Sequence, residues 1–80
     1  MTAEDPKLAF LGRDTLVYEE NSRQIDATID WGERTVVLFQ VSIGRWRDDP
    51  MTTISDSERA RIIDRIKQLL ERKGLTLQVK

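Results

Sequence analysis

Neither cysteine nor histidine occurs in these 80 residues, and there are only two prolines and four glycines. The first absence removes disulfide frameworks and thiol nucleophiles; the two together remove the usual zinc ligand sets. Lack of histidine also takes away the side chain that most often does acid–base work near neutral pH. No run approaches the roughly 18 apolar residues of a membrane span. No basic segment followed by an apolar stretch marks a signal peptide, so a cytoplasmic location is expected. Thirteen Lys/Arg against fourteen Asp/Glu leave a net charge of −1, whereas a general nucleic-acid binder shows a clearly basic domain. Nucleic acid is therefore a disfavoured partner, and a chain of this length holds one domain.

What the sequence does contain is alternation followed by helical periodicity. Residues 1–7 (MTAEDPK) are polar, acidic and interrupted by Pro6, and read as a flexible N-terminal arm before a single domain over 8–80. Leu8–Leu11 and Thr15–Glu20 are strand candidates separated by Gly12-Arg13-Asp14, with a second turn over Glu20–Arg23. In Gln24–Asp30, Ile25, Ala27 and Ile29 fall on one face and polar side chains on the other, the signature of a sheet with one wet face. Trp31-Gly32-Glu33 closes the next hairpin, with Gly32 the residue suited to positive φ.

Arg34–Ile43 is the longest apolar segment. Read as one strand, it puts Thr35, Val37, Phe39, Val41 and Ile43 on one face, and Val36 and Leu38 on a second face that should be polar. A strand apolar on both sides is either central or covered by something further, the cover being the N-terminal arm, Leu8–Leu11 or a second copy of the chain, with Val36 and Leu38 as the candidate homodimer contact. Further on, Ser55 and Glu58 have capping-box spacing. Ile62, Ile63, Ile66, Leu69 and Leu70 form a helical stripe, and Gly74 stands at the position of a C-terminal helix stop. Leu75–Val79 alternates as a short last strand. The expected architecture is α+β: an antiparallel β-meander of three to four strands, one C-terminal helix packed on a face, and a short terminal strand.

Candidates for chemistry are few. The carboxylate pairs Glu19/Glu20, Asp26/Asp30 and Asp48/Asp49 are read as solvated charge, and no third ligand accompanies Asp48 and Asp49 at calcium-loop spacing. No catalytic residue, metal site or cofactor is expected. Ser55 and Ser57 have no base to activate them and are explained by capping. Arg45-Trp46-Arg47 is more informative. An aromatic between two guanidinium groups suits a protein interface or base stacking on a single strand. The plainer alternative folds Trp46 back onto the helix and pairs the arginines with Asp48, Asp49 or Glu58. Trp31, flanked by acidic neighbours at a hairpin tip, is either a lid on the sheet or an exposed anchor for a basic protein surface. Charge is also uneven, −4 over residues 1–40 and +3 over residues 41–80, which favours steering of a charged partner.

From Ser42 onward the chain resembles immunity-protein family 74 of bacterial polymorphic toxin systems. The likeness is carried by Ser42-Ile43-Gly44-Arg45-Trp46, Asp48-Asp49-Pro50, Ile54-Ser55, Arg61-Ile62-Ile63, Ile66 and Gly74-Leu75-Thr76-Leu77-Gln78-Val79. Upstream, Tyr18-Glu19 and Arg23-Gln24-Ile25 stand where that family has a tyrosine strand and an Arg-x-Ile strand. The loop Arg47-Asp48-Asp49-Pro50-Met51, basic then acidic, departs from the family. The resemblance implies a bacterial protein with a meander and a C-terminal helix that binds and neutralises a cognate toxin. Taken together, the expectation is a non-enzymatic cytoplasmic protein that binds a protein partner through Arg45, Trp46, Arg47 and Trp31. Single-strand nucleic-acid binding or self-association are the alternatives.

Overall fold

The computed structural model describes residues 6–80, so residues 1–5 of the expected N-terminal arm lie outside the described residues. The fold is α+β. Strands β1 (Lys7–Leu11), β2 (Thr15–Glu20), β3 (Arg23–Gly32) and β4 (Thr35–Leu38) form an antiparallel meander, and helix α1 (Asp56–Arg72) leads to β5 (Thr76–Val79). Among the described residues these five strands make one sheet in chain order, with β5 parallel to β4. The helix is thus the crossover that returns the chain to the same end of the sheet, as a parallel pair requires. Lys7, assigned to the arm from sequence, is already paired with Glu19 in β1.

The alternation in β3 decides which sheet face is covered. Ile25, Ala27 and Ile29 point under α1 together with Leu16 and Tyr18 of β2, and meet Ile62, Ile66 and Leu70 of the helix. Ile29 stands opposite Leu38, and Trp31 opposite Val36, so Val36 and Leu38 share the covered face. Both are 0% exposed in the single chain. They are core residues sealed by the helix, which corrects their reading as a dimer contact. Each such burial contributes about 1.5–3 kcal/mol.

The reason is a break in the long apolar segment. Strand β4 ends at Leu38, Phe39 is still extended, and the chain then makes a 3₁₀ turn over Gln40–Ser42. The Ser42 hydroxyl donates to the Phe39 carbonyl at 2.6 Å and accepts the Thr28 N–H at 2.8 Å. That turn shifts the side-chain phase, so Val41 projects into solvent while Ile43 rejoins Val36 and Leu38 in the core. Counting parity straight through Phe39–Ile43 therefore assigns the two faces the wrong way round.

Both helix ends follow the sequence signals, with one difference. Ser55 accepts the Glu58 N–H at 3.1 Å, but the Glu58 carboxylate turns away to Trp46 instead of completing the box. At the other end Gly74 takes φ +77°. Its N–H bonds the Glu71 carbonyl and the Leu75 N–H bonds that of Leu70, a Schellman closure. Among the hairpins, the positive φ after β3 falls on Arg34 (+54°) and not on Gly32, which remains in the strand.

Candidate functional site

The segment between the 3₁₀ turn and α1 carries the Arg45-Trp46-Arg47 tripeptide, and it is not loose. Its base is closed by the Ile54 N–H donating to the Gly44 carbonyl at 2.8 Å, with Ile43 and Ile54 buried on either side. Arg59 of the helix adds a bond from Nε to the Ile43 carbonyl at 2.9 Å.

Trp46 is 4% exposed. Its indole Nε1 donates to Glu58 Oε1 at 2.8 Å, so the polar atom of a large ring is satisfied inside the domain. The Arg23 guanidinium lies 4.4 Å from the ring centroid and also reaches Asp48 at 3.3 Å. With one face held by Arg23 and the rest enclosed, the ring is closed to a nucleobase or a partner side chain. Trp46 is thus corrected from contact residue to core residue.

Arg47 is exposed but engaged. Its backbone N–H donates to the Gln24 carbonyl at 2.9 Å, and its guanidinium spans both carboxylate oxygens of Asp26 and the Gln24 amide oxygen. The bonds to Asp26 raise its pKa above the ordinary arginine value. The partners are on β3, not the Asp48, Asp49 or Glu58 expected from sequence. Backbone and side chain together tack the loop to the stretch of β3 that β4 leaves unpaired. Arg45, by contrast, is exposed, as are Thr52, Thr53 and above all Met51, at 90%. No feature of the sequence distinguished Met51, because it belongs to no apolar period and only the course of the loop exposes it.

Behind the loop, a polar chain ties the helix to β2. Arg61 donates from both Nη atoms to Glu20 at 2.8 and 2.9 Å, and the buried Tyr18 hydroxyl donates to the same carboxylate at 2.6 Å. The Arg61 hydrogen bond, assisted by that from Tyr18, lowers the Glu20 pKa against the opposing effect of burial. Burial, and then the bond to Glu20, push the Tyr18 phenol above its usual value. Glu20 is thereby held as a carboxylate and Tyr18 as a neutral phenol, which suits bracing and not proton transfer at neutral pH.

Trp31 lies apart from this cluster, near the end of β3. It is 39% exposed and leans on Phe10 of β1, centroids 5.1 Å apart at 48°. Phe10 in turn packs against the core, so Trp31 meets the core side through that ring, and the structure does not bring it together with the tripeptide. Among the described residues, no group of three or more acidic side chains is placed to hold a metal ion, and no helix is long and apolar enough to cross a membrane. No family model, curated protein or solved structure matches the chain.

Proposed function

We propose that the protein is a small, non-enzymatic bacterial binding protein of the cytoplasm that acts by occluding a protein partner, as its resemblance to toxin-neutralising immunity proteins implies. The observation that carries this reading is the braced loop. Its root is fixed by Trp46 to the helix and by Arg47 to β3, while Arg45 and Met51 stay at the surface. An already ordered loop need not be ordered again on docking, so the entropic cost is confined to the Arg45 and Met51 side chains, and loops fixed on a rigid scaffold are where recognition residues concentrate. The binding role passes from the tripeptide as a unit to Arg45 and Met51, with Trp46 and Arg47 as their support.

The test is a capture experiment from a lysate of the source organism, comparing the wild type with an Arg45→Glu/Met51→Lys variant. Both should show the same circular dichroism and melting temperature, and one protein should be retained by the wild type and lost by the variant. Equal retention by both chains would discard the loop as the binding surface. Nucleic acid alone, released by salt, would instead support single-strand binding.

A further inference from the structure

Among the described residues the sheet's outer strands are β1 and β5, and the two edges are guarded differently. At β1, Pro6 precedes the strand and Lys7 opens it, two devices that discourage a second chain from pairing there. At the other edge, β5 is Thr-Leu-Gln-Val, without charge or proline. The Thr76 N–H bonds inward to the Arg34 carbonyl at 2.9 Å and the Lys80 N–H to that of Leu38 at 2.8 Å. The residues between them in the alternation, Leu77 and Val79, therefore turn their N–H and C=O groups outward. A groove of about 710 Å³ runs beside this edge, between β5 and α1, floored by Leu77, Val79 and Ile63.

We infer that the open β5 edge is a homodimer interface, in which a second copy of the chain pairs antiparallel with it and carries the sheet on from five strands to ten. A two-fold axis at the edge is isologous, so whatever lies beside β5 must complement its own reversal. The helix row along the groove does so. In order it reads Asp56, Arg59, the apolar Ala60 and Ile63, Asp64 and Lys67. Laid antiparallel on itself, this row sets Asp56 against Lys67, Arg59 against Asp64, and the apolar pair against itself. The strand is self-complementary in the same sense. With Leu77 of one copy opposite Val79 of the other, each outward donor meets an outward acceptor.

Sedimentation velocity tests this directly. The wild type is expected to be a dimer at about 100 µM, within the range of a modest interface. Val79→Pro removes an outward N–H that β4 does not use and should give a monomer with unchanged circular dichroism. K67E and D56K should each weaken the dimer by about tenfold, the scale of one or two exposed charge pairs brought into repulsion. Mixing the K67E and D56K chains should restore it, since each then supplies the charge that the other lacks. A wild type that stays monomeric at about 300 µM, at which a contact of millimolar Kd would already show, overturns the inference. So does a dimer indifferent to Val79→Pro, which would have to use another surface.

Discussion

The two tryptophans sit in opposite circumstances. Trp46 belongs to a loop and is enclosed, with its N–H on Glu58, one face under Arg23 and its neighbour Arg47 fastened to β3. Trp31 belongs to a regular strand and is more than a third exposed, with Phe10 as its ring neighbour. Secondary structure is therefore a poor guide to which ring is core in this molecule. What separates them is cover and polar satisfaction. The loop folds its ring against a helix that offers an acceptor, whereas β3, ten residues long, runs on to a hairpin beyond its buried stretch.

Substitutions at the two rings should differ accordingly. Trp46→Ala should destabilise the domain by about 3–5 kcal/mol, as truncation of a buried large aromatic does. That is a large share of the stability expected of a small domain, so the urea midpoint at 25 °C should fall far below that of the wild type. If Trp46→Ala instead costs no more than Trp31→Ala, the two rings are equivalent and the contrast fails. Trp46→Phe keeps much of the volume but leaves Glu58 without its donor, and should cost about 1–2 kcal/mol in the same assay.

The cluster behind Trp46 should also be the pH-sensitive one. Glu20 has a lowered pKa in the folded chain, so its stabilisation is present above the ordinary carboxylate value of 4.5 and is lost as pH falls below it. Tyr18 has a raised pKa, so its contribution is present below 10.0 and declines as pH rises above it. Glu20→Gln should flatten the acid limb of a melting-temperature profile. In a Trp31→Phe background, the emission of Trp46 alone should shift to the red as that limb is crossed.

Effects around Trp31 should be smaller. Trp31→Ala removes a tilted aromatic pair at a partly exposed site and should cost about 0.5–1.5 kcal/mol. In the same hairpin Arg34 holds φ +54°, a conformation that L-residues with a side chain adopt at some cost. Arg34→Gly should raise stability by about 0.5 kcal/mol, the strain relieved being partly offset by the looser unfolded chain. A loss of stability on this change would mean that the Arg34 side chain supports the hairpin in some other way.

Much of the fold could be read from local patterns because local forces decide it. The alternation of Ile25, Ala27 and Ile29, the stripe of Ile62, Ile66 and Leu70, the Ser55 cap and the Gly74 stop each express a single periodicity or a single backbone need. The features that escaped are tertiary in origin. The 3₁₀ turn after Leu38 depends on Ser42 reaching the Thr28 N–H, fourteen residues away in sequence, and without it the faces of β4 cannot be assigned. Trp46 is core because Glu58 is free to leave the capping box, which a spacing rule does not reveal. Arg47 finds Asp26 and Gln24 on β3 although Asp48 and Asp49 stand beside it in the chain. For the proposed site, the residues of the segment could be marked from the sequence, but which of its side chains face outward depends on these tertiary contacts.

The parallel placement of β5 has a consequence for the folding chain. The hairpins of the meander close over short loops, but β5 meets β4 only after more than thirty intervening residues, including all of α1, are in place. Loop-closure entropy makes that pairing late. Until then the outer edge of β4 lies open, and the segment Thr35-Val36-Val37-Leu38-Phe39 is uncharged, free of proline and made of β-branched, aliphatic and aromatic side chains. Such a segment is a template for cross-β stacking between chains. The last strand therefore also serves as a stopper against aggregation, and variants that slow the docking of α1 should aggregate during refolding well before they lower the melting temperature.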